Sequence, residues 1–242
     1  MNLQGYREWR QSLRNQEPKY RGYCLTCRQP DFACYCAHIK KFDPAMKFII
    51  LIHPIEIRRR IATGRMSHLC MTGSRLILGV DYSQNKEVEA ILKNPNYYSI
   101  MLYPGPSSTN ITPLHLEERR QLFPQDKELV VFVVDGTWNT ARKTVRVSDN
   151  LKHLPQISFS PPSPSNFRVR TQPKPECYST LEAIHHTIEL LGPGRGFDTS
   201  SRRHDTLLSL FDRLVEQPLA HVRVNHSRHR RKIARGLVHA QN

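Results

Sequence analysis

No apolar run in the sequence approaches the roughly 18 residues that a bilayer-spanning helix requires, so no transmembrane helix is expected. The opening stretch, MNLQGYREWRQSLRNQEP, has no apolar core of the signal-peptide kind, and a soluble, cytoplasmic protein is expected. No internal repeat is visible. Acidic residues are scarce: 21 Asp and Glu face 36 Lys and Arg, a formal charge of +15 that twelve histidines can raise in mild acid. Such a surplus points to a polyanionic partner, nucleic acid first and anionic membrane second. Hydrophobic residues make up 38%, low for a compact enzyme yet above the level of a disordered chain. At 242 residues there is chain enough for one substantial core with a small appendage, or for two modest domains.

The six cysteines are unevenly placed. In CLTCRQPDFACYC, Cys24, Cys27, Cys34 and Cys36 follow a C-x2-C-x6-C-x-C pattern whose first pair has zinc-knuckle spacing. Four thiolates complete a tetrahedral structural zinc site with no position open to substrate. Redox or disulfide use, free thiols and an iron–sulfur cluster are the other readings, with His38 as a substitute ligand. Cys70 and Cys177 stand alone and read as packed thiols. This module, with a polar helix before it carrying Tyr6, Trp9 and Leu13, defines an N-terminal domain over 1–42, and residues 43–242 form the second domain.

Within 43–242 apolar runs predict strands at Phe48 to Ile52, in YSIMLYPGPSS, in ELVVFVVDGTW and in LPQISFS. Met66 to Leu78 reads as helical around Gly73. HLEERRQLF reads as a short charged helix or turn, and helices are expected from Asn139, in STLEAIHHTIELLG with Ser179 or Thr180 as N-cap and Glu182 in its first turn, and from Thr206 to Val215. From Pro161 to Pro175 prolines, serines and arginines indicate an irregular loop, and HSRHRRKIARGLVHAQN is a basic tail. Strands alternating with helices imply an α/β fold with a mostly parallel sheet covered on both faces.

Four strand or loop ends carry unusual residues: HPIEIRRRIATGR, LYPGPSS, DGTW, and RVRTQPKPECYSTLEAI. Open parallel sheets keep their chemistry at such carboxyl ends. In that order, and behind the four cysteines, these segments resemble the DTW-domain family, named for the Asp-x-Thr-Trp that here is Asp135, Thr137 and Trp138. One departure is Ala62, before Thr63 and Gly64, where the family carries Asn.

The resemblance implies a tRNA-uridine aminocarboxypropyltransferase, which moves the 3-amino-3-carboxypropyl group of S-adenosylmethionine to N3 of a tRNA uridine, giving acp3U. The bacterial type acts in the variable loop and eukaryotic relatives in the D-loop. It also implies a SPOUT-like fold with a carboxyl-terminal trefoil knot. Asp135 at a buried strand end then accepts or orients the N3 proton, since desolvation makes a carboxylate a better base. It could instead steady the donor's sulfonium or amino group, or simply cap the following helix. Trp138 stacks on the uracil or the donor adenine, or fills the core. Thr137 hydrogen-bonds backbone or cofactor.

By the same resemblance Leu102, Tyr103, Pro104, Gly105, Gly136, Ser179, Thr180 and Glu182 line the donor pocket. Phosphate contacts are expected from Arg59 and Arg65 beside Arg58 and Arg60, from Arg142 and Lys143 near Arg146, from Arg168 and Arg170, and from the basic tail. His53 reads as a satisfied strand-end histidine. The competing functions are a SPOUT-type RNA methyltransferase and a non-catalytic zinc-ribbon RNA-binding protein.

Overall fold

The computed structural model describes residues 22–59, 61–165 and 177–214. The expected N-terminal helix, Arg60, Arg168, Arg170 and the basic tail lie outside these residues. The chain divides into two compact units, Met1–Ala37 and His38–Asn242.

In the first unit the chain makes a tight hairpin-like turn around the cysteines. The Cys24 amide donates to the Gln29 carbonyl at 2.9 Å and the Arg28 amide returns to the Cys24 carbonyl at 2.8 Å, with Arg28 in the left-handed region at φ 57°. Short 3-10 turns over Asp31–Ala33 and Cys36–His38 bring the second cysteine pair round.

In the second unit, six strands among the described residues form one sheet: β1 (Lys47–Ile52), β2 (Arg75–Leu78), β3 (Tyr97–Leu102), β4 (Thr109–Asn110), β5 (Glu128–Asp135) and β6 (Gln156–Ser158). The spatial order is β2-β1-β5-β3-β6-β4 and every pairing is parallel. β5 is central and almost wholly buried, which is why its sequence lacks the alternation of a one-sided strand. The helices are α1 (Pro54–Ile57), α2 (Thr63–Cys70), α3 (Lys86–Leu92), α4 (Leu116–Gln121), α5 (Trp138–Val147), α6 (Asp149–Lys152), α7 (Thr180–Leu191) and α8 (206–214). On one face Ile49, Leu51, Met101, Val130 and Phe132 pack with Tyr82, Val88, Ile91 and Leu151. On the other, α2 and α7 pack together and over β1 and β5.

The expected α/β class and parallel sheet are therefore present. Met66 to Leu78 is corrected: its first part belongs to α2, but after Gly73, at φ 69°, the chain turns extended and Arg75–Leu78 pairs with β1 as an edge strand. Four residues flanked by a short helix are too few for any periodicity to register. The fourth expected strand is shorter than LPQISFS, and β4 carries no signal in the sequence at all.

Candidate active site

The register aligns three carboxyl ends. Ile52 of β1 pairs with Asp135 of β5, and Leu102 of β3 pairs with Val133, so His53, Asp135 and the Tyr103–Gly105 turn emerge side by side. The His53 amide donates to the Asp135 carbonyl at 3.2 Å, and its Nδ1 accepts from the Ile55 amide at 3.2 Å to cap α1. It is a satisfied histidine, as expected.

The Asp135 side chain turns inward and is 5% exposed. Its Oδ1 accepts from Thr180 Oγ1 at 2.5 Å and from Thr63 Oγ1 at 3.4 Å. Thr180 opens α7 and Thr63 opens α2, while α5 starts three residues beyond Asp135 itself. The amino ends of α2 and α7 thus converge on one carboxylate, each presenting the positive end of its dipole. Gly64 makes this approach possible. A Cβ there would lie 2.6 Å from Asp135 Oδ2, 2.8 Å from its Cγ and 2.9 Å from Ile50 Cγ2. The Thr-Gly and Asp-x-Thr-Trp motifs are therefore in physical contact, with 72 positions separating Thr63 from Asp135 in sequence.

Burial is the largest influence on Asp135 and raises its pKa above the ordinary 3.8. The Thr180 bond opposes the rise, as do the Gly64 amide, which faces the carboxylate short of a full hydrogen bond, and Thr63; the nearby charge of Glu56 adds to it. Oδ2 is buried without a hydrogen-bond partner. A dry carboxylate with raised proton affinity has the chemistry to accept a proton.

The other expected residues divide. Thr137 is the N-cap of α5: its Oγ1 accepts from the Thr140 amide at 3.2 Å and lies 3.0 Å from Thr140 Oγ1. The cap expected near Asn139 thus falls to Thr137, and Asp135 is left free of that task. Trp138 opens α5 and is half-buried. Gly136 has no room for a Cβ, which would sit 2.5 Å from Thr140 Oγ1. Leu102 is a core side chain, whereas Tyr103 is half-buried, Pro104 exposed, and the Gly105 amide donates to Ser108 Oγ at 3.2 Å. Ser179 caps α7, accepting from the Glu182 amide at 3.3 Å while Glu182 Oε2 accepts from the Ser179 amide at 2.8 Å. Both Glu182 oxygens also accept from Ser165 Oγ, at 3.0 and 2.8 Å. Glu182 thus organises the helix start that delivers Thr180 to Asp135.

Among the basic residues, Arg142 and Lys143 are exposed on α5 and Arg58 is exposed beyond α1. Arg59 is half out, with Nε 3.2 Å from the buried Glu56 carboxylate. Arg65 departs from the expected phosphate-binding role. It is 4% exposed, and its Nη1 and Nη2 donate to the carbonyls of Ile57 at 2.7 Å and Arg59 at 3.2 Å. It ties down the loop entering α2, and nothing in the run RRRIATGR marks its last arginine as the one that faces inward. Burial pushes the Cys70 thiol up to about 12, the property of a packed and unreactive cysteine.

In the N-terminal unit the sulfurs of Cys24, Cys27, Cys34 and Cys36 all lie within 4.8 Å of one another. Cys24 and Cys36 are 3.5 Å apart and Cys27 and Cys34 3.7 Å apart. A tetrahedron with Zn–S bonds of ~2.3 Å has edges of about 3.8 Å. The four residues fit one tetrahedral ion and leave no space for a multi-iron cluster between them. The amides of Cys27 and Thr26 point at the Cys24 sulfur and lower its pKa to about 6, while burial and the neighbouring thiols push Cys36 up.

A sequence profile of the DTW domain matches residues 21–219. The chain belongs to the DTW domain family. Among curated proteins, a DTW relative from Mus musculus, tRNA-uridine aminocarboxypropyltransferase 2, is 26% identical over 173 residues, covering 69% of this chain and 56% of that protein. The protein of the same name from Drosophila melanogaster is 26% identical over 181 residues, covering 72% and 68%. That of Macaca fascicularis is 23% identical over 177 residues, covering 72% and 57%. The chain spans little more than half the length of the two mammalian relatives. No solved structure matches it. All the motifs placed around Asp135 fall inside the matched DTW region.

Proposed function

We propose that this DTW protein is a tRNA-uridine aminocarboxypropyltransferase, with a variable-loop uridine as the position the family resemblance implies. The observation that carries the reading is the Asp135 carboxylate: dry, with Oδ2 unshared, and held by Thr63 and Thr180 from two other family motifs. S-adenosylmethionine supplies an electrophilic carbon next to its sulfonium. Asp135 takes the N3 proton as the N3–C bond forms and the C–S bond breaks, its electron pair leaving on methylthioadenosine. Thr63 and Thr180 hold Oδ1, so that Oδ2 is the accepting atom. Trp138 offers a face for a base taken out of its stack. Thr137 and Gly136 fix the turn that carries both, and Tyr103–Gly105, at the neighbouring strand end, border the donor with Ser179 and Thr180.

The exposed Arg142 and Lys143, together with Arg59, Arg168 and Arg170, bind tRNA phosphates, a sequence-independent grip suited to a folded RNA. Zinc held by the four cysteines supports the fold of the N-terminal unit. The expected SPOUT-type topology with a carboxyl-terminal knot is favoured by the insertion of β5 between β1 and β3 and by the return of α7 to the β5 end. A cytoplasmic setting suits closely spaced cysteines kept as thiolates; among the described residues no helix is long and apolar enough to cross a membrane.

The test is mass spectrometry of nucleosides from tRNA incubated with the protein and S-adenosylmethionine. Aminocarboxypropyl-uridine and methylthioadenosine are expected, and Asp135→Asn should abolish both while tRNA binding survives. A methyl gain with S-adenosylhomocysteine would replace the reading with a methyltransferase. Normal yield from Asp135→Asn would remove Asp135 from the chemistry.

A further inference from the structure

A second group of metal-ligating side chains lies on α7 and the segment after it. His185 and Glu189 are one helical turn apart on α7, so both project from one face. His204 and Asp205 are delivered by the 3-10 turn Arg203–Asp205, which follows Arg202 in the left-handed region at φ 51°. His185 Nε2 is 2.8 Å from Asp205 Oδ1, His204 Nε2 is 2.8 Å from Glu189 Oε1, and His204 Nε2 is 3.8 Å from Asp205 Oδ1. All four ligand atoms lie within 4.8 Å of one another.

We propose that His185, Glu189, His204 and Asp205 form a second zinc site, structural in kind and independent of the cysteines. Two imidazole nitrogens with two carboxylate oxygens are a borderline donor set suited to tetrahedral Zn2+, whereas Mg2+ and Ca2+ prefer oxygen alone. The imidazoles are held in place before any ion arrives. Their rings stack at 4.6 Å and 27°, and the Phe197 ring meets His204 edge-on at 5.4 Å. His204 is fully buried and the His185 side chain is 10% exposed. The two carboxylates stay part-exposed, Glu189 at 26% and Asp205 at 34%, so an ion can enter from their side while the buried imidazoles close the other.

Arg202 is the competing cation. Its Nη1 is 2.5 Å from Glu189 Oε1, and its Nε and Nη2 each lie 2.8 Å from an Asp205 oxygen. Its side chain is 53% exposed, so it can swing into solvent. Zinc then replaces the guanidinium charge, and each neutral imidazole carries its proton on Nδ1 so that Nε2 is left to the ion. The site fixes the far half of α7, the helix whose first residue bonds Asp135.

The experiment uses the full chain, stripped with a chelator, resupplied with Zn2+, gel-filtered and assayed for metal by mass spectrometry. Two zinc ions per chain are expected. His185→Gln/His204→Gln should hold one, the ion of the four cysteines, with a cooperative circular-dichroism melt as the check that the second unit is folded. Arg202→Ala should bind the second ion at least tenfold more tightly. In a Cys24→Ser/Cys27→Ser chain, Co2+ should give d–d bands without thiolate charge transfer. One zinc in both the parent and Arg202→Ala overturns the proposal and leaves an ion-pair network closed by Arg202. Two zinc ions retained by the double His variant would place the second ion elsewhere and overturn it equally.

Discussion

Replacing Gly64 by alanine sets two opposing effects against each other in one small volume. Alanine is the better helix former by ~1 kcal/mol in a helix interior, and position 64 is the second residue of α2. On helix propensity alone Gly64→Ala should stabilise. The added methyl, however, would meet Asp135 Oδ2 at 2.6 Å, Asp135 Cγ at 2.8 Å and Ile50 Cγ2 at 2.9 Å. None of these atoms can yield easily. Asp135 is held by Thr180 and Thr63, and Ile50 is fully buried in β1. Overpacking of this kind costs ~1–3 kcal/mol, and three contacts under 3.0 Å belong at the upper end. The net loss should be about 2 kcal/mol, or about 4–8 °C in melting temperature for a domain of this size. Thermal melting followed by circular dichroism, with nucleoside analysis of product, reads both consequences. Transfer should fall more than stability, because the carboxylate is displaced. A melting temperature equal to or above that of the parent, with full transfer, would refute the claim that Gly64 exists to let Asp135 in.

Thr180→Val deletes the shorter of the two bonds to Asp135 Oδ1, and stability should drop by ~1–3 kcal/mol. Since that bond holds the Asp135 pKa down, the acid limb of the pH–activity profile should move to higher pH. Asp135→Asn tests the electrostatics of the fold. Burial raises the folded pKa above the unfolded 3.8, so the native state retains the proton; the stability this gives is full below the unfolded pKa and lost as pH rises through the folded one. Urea titrations should therefore show the parent losing stability relative to Asp135→Asn over that interval, and a constant difference would contradict it. Arg65→Lys should lower the urea midpoint while leaving the salt dependence of tRNA binding unchanged, because its guanidinium is spent on carbonyls. Arg142→Ala/Lys143→Ala should do the reverse, weakening filter-bound tRNA and flattening the log–log salt slope by roughly 1–2.

How much of this is legible in the sequence depends on whether the information is local. The run LVVFVVD announces a buried central strand, and Ser179 with Glu182 announces a capped helix, because each signal is complete within a few residues. β2 is hidden since RLIL is shorter than any period it could display. At the site, Asp135 is identifiable from its place at a strand end. What brings Thr63, Gly64 and Thr180 to it is the parallel register and the packing of α2 on α7, neither of which leaves a mark on neighbouring residues. Arg65 escapes a sequence reading for the same reason: its burial is decided by the loop carbonyls that it holds, and composition cannot distinguish it from Arg58. His185, Glu189, His204 and Asp205 carry only a helical i,i+4 pair as a hint.

The position of β5 also governs how the chain must assemble. β1 and β3 never touch each other as neighbours; each waits for a strand that begins only at residue 128. Until then a growing polypeptide can join β1 to β2 alone, and two hydrophobic edges stand open to any passing strand. The joining of β1 to β3 and the arrival of the carboxylate are consequently the same event, since the segment that zips them together ends in Asp135. A chain halted before that point should be prone to clump in proportion to how long it pauses there.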